Sequence, residues 1–249
     1  MDLEQYQQIQ PHVKAHGLTW LVPNTHCAWR VESLMDKEPD TIAWIEKMGP
    51  DDVLFDVGAN IGQYAMLAAK RGVFVQAFEP ESQNFALLCR NVAINELNKT
   101  VRCWPIALSD KPGLHTFYVQ SLIPGNSCNS LGEKVDYHLR PKAEWGFEQG
   151  CGAMTLDFFA DTFGPPTHIK IDVDGFEHKV LHGALVTLRT VKSVLVETNT
   201  ALPQHQIIGA VMQEHGLYPD EEAAEAAMRT EGAFKGIGNV IYYRKEEKK

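Results

Sequence analysis

Residues 51–69 read DDVLFDVGANIGQYAMLAA, and the order of residue types in this stretch decides the fold class. Val53, Leu54, Phe55 and Val57 form a short apolar run broken only by Asp56, the pattern of a strand buried on both faces. Gly58-Ala59-Asn60-Ile61-Gly62 follows at once, and Tyr64 to Lys70 is rich in helix formers. Strand, glycine turn and helix make half of a βαβ unit. Such a turn lets the backbone approach a ligand closely and aims the first helix N–H groups at it.

The glycine spacing narrows the ligand. A dinucleotide fingerprint needs G-x-G-x-x-G, whereas here only Gly58 and Gly62 are present, so the middle glycine that admits a pyrophosphate is missing. Asp56 beside the turn suits a cationic ammonium group. The next strand, Val73 to Phe78, ends in Glu79-Pro80, where a carboxylate accepts hydrogen bonds from both hydroxyls of a ribose. An amino acid at the turn and a ribose at the next strand describe S-adenosylmethionine. The plainer alternative is an ordinary strand–helix corner, and two carboxylates at the right strand ends count against it.

Composition bounds the class. A chain of 249 residues buries a full core, and a single domain over residues 1–249 is expected. Its charged fraction of 22% is that of a soluble globular protein. The net charge of −9, with no basic cluster beyond Arg244–Lys249, argues against a nucleic-acid partner. Five cysteines without a C-x-x-C pair read as reduced thiols. The opening MDLEQYQQIQ is polar and no apolar run reaches membrane length, so a cytoplasmic protein without a membrane partner is expected.

Residues 1–50 read as a lead-in, with a strand at Leu18–Val22 and a helix at Thr41–Met48 that takes Asp40 as N-cap and stops at Gly49-Pro50. Trp29 and Arg30 between them either cover a cofactor or only pack. Residues 51–120 and 155–199 form the expected cofactor-binding core. It holds a helix at Ser82–Asn95, strands at Val101–Trp104, Gly113–Val119, Thr167–Val173 and Ser193–Glu197, and a helix at Phe176–Leu188. Between Ser121 and Met154 the periodicity lapses, which marks a lid or substrate loop, or a mobile segment. Residues 200–249 close the sheet, with helices at Gln204–His215 and Glu221–Met228, a strand at Asn239–Tyr243 and a fraying tail from Arg244. Alternating strands and helices say α/β with a parallel sheet.

FDVGANIGQY, AFEPES, PIALSD, TLDFF, HIKIDVDGFEHKVLHGA and LVETN occur in the order found in FkbM-type S-adenosylmethionine-dependent methyltransferases. The chain resembles that family over residues 51–199, and the K-I-D-V-D-G-F-E block is the most specific part. The resemblance implies a Rossmann-like class I methyltransferase fold, with a mostly parallel seven-stranded sheet, helices on both faces and an antiparallel last strand. It also implies O-methylation of small molecules, often sugars or polyketides. Gly125–Leu131 resembles a serine- and asparagine-rich patch of the family, while residues 133–153 and 201–238 match nothing in it.

Ligands of open α/β sheets sit outside the carboxyl ends of the strands, and Asp56, Glu79, Ser109, Asp172 and Glu197 all fall at or near such ends. The expected cofactor site has Gly58, Ala59, Asn60 and Gly62 under the methionine part of S-adenosylmethionine, with Tyr64 following them. Asp56 orders the turn or meets the ammonium, Glu79 holds the ribose, and Ala107–Ser109 lies against the adenine. S-adenosylhomocysteine is the product, and the acceptor is a small molecule.

Methyl transfer from a sulfonium is an in-line displacement, so alignment of the acceptor oxygen does much of the catalysis. An alcohol's pKa near about 15.7 stands about 12 units above a carboxylate's, on the order of 16 kcal/mol, too far for removal of the proton beforehand. Asp172 is the candidate proton acceptor or orienting group; otherwise it contacts the cofactor's amino group or a helix N-terminus. Asp172, Asp174 and Glu197 offer hard oxygens to Mg²⁺, but Asp174-Gly175 reads better as a turn, so no metal is expected. His178 and His182 are four apart without an H-E-x-x-H pattern, and are expected to be exposed or substrate-facing. Lys170 reads as one half of a structural pair. The favoured reading is an O-methyltransferase for a small-molecule hydroxyl, a sugar or a glycosylated or polyketide product. A nucleotide-dependent oxidoreductase and a non-catalytic S-adenosylmethionine-binding protein are the rivals.

Overall fold

The computed structural model describes residues 11–245. The polar opening, residues 1–10, and the last residues of the basic tail, 246–249, lie outside the described residues. An antiparallel hairpin, β1 (His12–Ala15) and β2 (Leu18–Leu21), leads into helices α1 (Thr25–Glu32), α2 (Leu34–Lys37) and α3 (Pro39–Glu46). Then come β3 (Val53–Val57), α4 (Gln63–Lys70), β4 (Phe74–Phe78), α5 (Ser82–Ile94) and β5 (Val101–Trp104). Four further strands are β6 (Ala107–Leu108), β7 (Gly113–Val119), β8 (Ser130–Leu131) and β9 (Phe147–Met154). The described chain is completed by α6 (Leu156–Phe163), β10 (His168–Ile171), α7 (Glu177–His182), β11 (Ser193–Asn199), α8 (Ile208–Glu214), β12 (Leu217–Pro219), α9 (Glu221–Ala226) and β13 (Ile237–Arg244).

The main sheet has seven strands in the order β12-β13-β11-β10-β3-β4-β5. β5, β4, β3, β10 and β11 pair in parallel, while β13 runs antiparallel to both of its neighbours. This is the fold class expected from the sequence. Alternate residues of each strand feed two cores. Leu54, Val75 and Leu195 pack with α4, α5 and the lead-in, whereas Phe55, Phe78, Ile169, Val194 and Val196 pack with α6, α7 and α8. Burial on both faces is why these strands read as nearly continuous apolar runs.

A second sheet, ordered β6-β9-β7-β8, corrects the expectation of a structureless segment from 121 to 154. β9 reads FEQGCGAM, and a Cβ at Gly150 or Gly152 would touch nothing, so the strand has little side-chain pattern to announce it. Its position comes from seven antiparallel pairs with β7, from Gly113↔Ala153 to Val119↔Phe147. β1 and β12 are likewise set by pairing and went unread.

Three helix and tail boundaries also differ from expectation. α3 begins at Pro39, whose fixed φ suits a first helical position, so Glu38 and not Asp40 stands at the cap, with its carboxylate turned inward. The helix expected to reach Leu188 ends at His182, with Gly183 as its C-cap; a Cβ at Gly183 would lie 2.2 Å from the Ser109 carbonyl oxygen. Arg244 does not fray; its guanidinium donates to the carbonyls of Leu188, Val191 and His215. All five cysteines are free thiols. No described helix is long and apolar enough to cross a membrane.

Candidate active site

The chain runs outward from β3 through β4 to β5 on one side and from β10 to β11 on the other, so the sheet's switch point lies between β3 and β10. A cavity of about 490 Å³ opens at the carboxyl ends of these strands. That is a normal size for a small-molecule site, on the order of 300–1,000 Å³. Gly58, Ala59, Asn60, Tyr64, Glu79, Ser109 and Asp172 line it, as do Trp29 and Arg30.

Asp56 and Gly62 do not line it. Asp56 is fully buried near the end of β3, and the ammonium it meets is Lys170 Nζ, 3.7 Å away inside the protein. Gly62 has a φ of +93°, and a Cβ there would lie 2.6 Å from Leu88 Cδ1, the end of a side chain. Gly58, at φ +84°, is required by a closer approach, since a Cβ would sit 1.9 Å from the Asp172 carbonyl oxygen.

The amides of the turn itself, Gly58 to Gly62, are not free for a ligand. Gly58 and Ala59 N–H both donate to the Phe78 carbonyl at 3.0 Å, and Gly62 N–H donates to the Ala59 carbonyl at 2.8 Å. Asn60 N–H donates to Glu79 Oε2 at 2.8 Å, and Ile61 N–H to Asn60 Oδ1 at 3.0 Å. The turn therefore supplies a shaped floor, and polar recognition falls to side chains. Glu79 also accepts from Glu81 N–H at 2.8 Å. Burial pushes its pKa up to about 8, with Glu81 and Asp174 adding and the two N–H bonds opposing. Each carboxylate oxygen carries a second lone pair that remains available.

Part of the segment expected as a lid is clamped across the cavity. The Asn126 carbonyl accepts from Asn60 Nδ2 at 2.9 Å and Asn84 Nδ2 at 3.0 Å, and Gly125 N–H donates to Asn84 Oδ1 at 2.7 Å. Asn24 Nδ2 and Arg30 Nε hold the Pro124 and Gly125 carbonyls. Asp174, in the turn after β10 at φ +57°, accepts from Cys128 and Asn129 N–H. Burial, then Asp172 and Glu177, raises the Asp174 pKa to about 7.

The other end of the cavity is acidic. Lys170 is buried opposite Asp56 in the β3–β10 register, and its Nζ lies 3.1 Å from Asp172 Oδ2. Burial alone would lower the Lys170 pKa, but Asp172, Asp56 and Glu38 raise it above its ordinary value. Burial alone would raise Asp172, but Lys170, with Lys37 and Arg30, holds it below the usual carboxylate range. Glu38 accepts from Tyr64 Oη at 2.6 Å and Asn239 Nδ2 at 2.8 Å. Arg229 sits 3.8 Å from both Glu38 and Glu197. Sequence reasoning gave no role to Glu38, Glu177 or Arg229. Only Glu177 had a signal, its place in the D-G-F-E block.

Carboxylate oxygens of Asp172, Glu177 and Glu197 come within 4.8 Å of one another, so Glu177 takes the place expected for Asp174. Two of the three already have protein donors. Asp172 has Lys170; Glu177 accepts from Val173 N–H at 2.7 Å and Gly175 N–H at 3.0 Å and faces His205 Nε2 at 3.1 Å. Those donors compete with a cation, so the donor set fits a metal poorly. Neither His178 nor His182 joins a metal-binding cluster among the described residues.

Comparisons with known proteins bear on this geometry. The family profile described as the methyltransferase FkbM domain matches residues 56–217. The hexuronic acid methyltransferase AglP of Haloferax volcanii is 27% identical over 198 residues, covering 76% of this chain and 74% of its own. The 31-O-demethyl-FK506 methyltransferase FkbM of Streptomyces tacrolimicus is 42% identical over 161 residues, covering 55% of this chain and 61% of its own. Among solved structures, the magnesium protoporphyrin IX methyltransferase of Synechocystis PCC 6803 with bound SAM superposes with a TM-score of 0.50. That match, at 8% identity, covers 97% of this chain and 90% of the other, and shows a shared fold.

Proposed function

The chain belongs to the FkbM methyltransferase family and is an S-adenosylmethionine-dependent methyltransferase, and from that we propose that it methylates a hydroxyl oxygen of a small molecule, a sugar or a glycosylated or polyketide product. One observation carries the reading: a single cavity joins Glu79 and an apolar wall of Ala107, Leu108 and Phe117 to an acidic end at Asp172 and Glu197. The first part suits a ribose and a purine, the second a cation and a hydroxyl donor. The net charge of −9 favours a small acceptor over a nucleic acid.

The residues divide the work as follows. S-adenosylmethionine, when bound, supplies an electrophilic methyl group on a sulfonium. Glu79 accepts the ribose hydroxyls, and Gly58 to Asn60 form the floor beside it. Ser109, at the end of the apolar wall, borders the purine. Tyr64 ties Glu38 against the acidic end. Lys170 keeps Asp172 ionised, and an ionised carboxylate accepts a hydrogen bond that fixes the direction of the acceptor hydroxyl.

Incubation with labelled S-adenosylmethionine and a panel of sugars, glycosides and polyketide alcohols is expected to give a methyl ether, read by mass spectrometry. Methyl transfer to nitrogen or carbon, with every alcohol untouched, would overturn the proposal. EDTA is expected to leave turnover unchanged, because Lys170 and backbone amides already occupy two of the three acids, Asp172 and Glu177; loss restored by Mg²⁺ would reverse that.

Glu79→Ala removes two charge-assisted hydrogen bonds, so S-adenosylhomocysteine should bind about 100-fold more weakly by calorimetry. Hydroxyl donors favour the ionised carboxylate, so wild-type affinity should climb as the pH rises towards about 8 and then level off. Unchanged affinity in the variant would remove Glu79 from the ribose.

A further inference from the structure

We propose that Glu197, and not Asp172, takes the proton from the acceptor hydroxyl as the methyl group arrives. This rests on the O-methyltransferase reading above and assigns the fate of its proton. Both carboxylates line the cavity, so position does not choose between them; their existing partners do.

Asp172 Oδ2 accepts from Lys170 Nζ at 3.1 Å, and the Lys170 side chain is only 1% exposed, so water does not compete for that ammonium. A carboxylate held by a buried ammonium is a weak base. Glu177 is tied to Val173 and Gly175 N–H. Glu197 has no such donor. Among the described residues the nearest cation is Arg229 Nη1, at 3.8 Å, beyond hydrogen-bond length. Its lone pairs therefore stay open to the cavity.

The neighbours of Glu197 raise its affinity for a proton. Asp172, Asp174 and Glu177 face it from the end of β10 and the start of α7, and Glu38 from the start of α3; Arg229, before β13, opposes them. Burial acts first and the four acids add to it, setting the pKa well above the ordinary glutamate value. A stronger base narrows the gap to the alcohol, which helps a proton transfer that accompanies bond formation.

The step balances. The O–H bond breaks towards the Glu197 carboxylate, which becomes a carboxylic acid, and an O–CH₃ bond forms. The CH₃–S bond breaks and its electron pair stays on sulfur, which leaves as a neutral thioether. One positive and one negative charge disappear together, so no charge is stranded in the cavity.

The test is the pH dependence of kcat/KM for an acceptor found in the panel above, at saturating S-adenosylmethionine so that Glu79 does not contribute, for wild type, Glu197→Gln and Asp172→Asn. Wild-type activity should rise with pH along a limb displaced above the ordinary carboxylate range. Glu197→Gln should lower kcat about 100-fold or more and abolish the limb. Asp172→Asn removes a negative neighbour, so its residual activity should keep the limb at lower pH. Infrared titration of the protein without substrate should show protonated-carboxyl absorption at neutral pH, to which Glu79, Asp174 and Asp56 also contribute, and Glu197→Gln should remove one carboxyl's share of it. A limb and a share of the absorption that survive in Glu197→Gln and vanish in Asp172→Asn would overturn the assignment, while methyl-ether formation would leave the O-methyltransferase reading standing. A wild type that methylates no hydroxyl would sink that reading first.

Discussion

Lys170→Met is expected to destabilise the protein by about 3–5 kcal/mol, the cost of removing one partner from a buried ion pair. Methionine matches the length of the lysine stem but carries no charge. Lys170 Nζ lies 3.1 Å from Asp172 and 3.7 Å from Asp56, and 5.1 Å from the centre of the Tyr64 ring. Asp56 is fully buried, and among the described residues no other cation pulls its pKa down. Burial already raises its pKa against the pull of Lys170, and without the ammonium it rises further. A carboxyl that binds its proton more tightly in the folded state loses stability as pH climbs from about 3.9 through the raised value. The variant should therefore lie nearest to wild type in acid and furthest from it above neutrality. Urea unfolding across that range measures both the size and the slope. A loss under about 1 kcal/mol with no pH dependence would mean that water reaches the pair.

Gly58→Ala is expected to cost more than about 3 kcal/mol and to abolish most activity. The left-handed φ of +84° alone disfavours alanine by about 1–2 kcal/mol. The larger cost is contact with backbone: the new Cβ would lie 1.9 Å from the Asp172 carbonyl oxygen and 2.9 Å from its carbon. Neither atom can swing away, so β3 and β10 must part at the switch point, taking Asp172 with them. Displacement on the order of 1 Å at a reacting group costs about 100-fold in rate. Gly62→Ala is the control, because the atom in its way is the Cδ1 end of the Leu88 side chain. Equal melting temperatures for Gly58→Ala and wild type would contradict this account.

The parallel strands were readable because each is buried on both faces, which demands runs such as Val53–Val57 and Ser193–Val196. Glu79 and Asp172 were readable because a strand end beside a glycine turn puts a side chain in the crevice whatever the loops do. β9 was not, since its glycines carry no pattern and its place comes from β7, about thirty residues away in sequence. Nor was the clamp at Asn126, which joins Asn60 and Asn84 through one carbonyl.

By itself, the order of apolar runs, glycines and acids determined the α/β class with its parallel strands and put Glu79 and Asp172 at strand ends that meet the cavity. Only the tertiary structure decided what each carboxylate does there. A carboxylate's charge and basicity depend on which donors stand within about 3 Å, and those donors come from distant parts of the chain. Asp56 faces Lys170 across two strands, Glu177 meets His205, and Glu197 meets no close donor. No local pattern records those three facts, and the chemistry of the site turns on them.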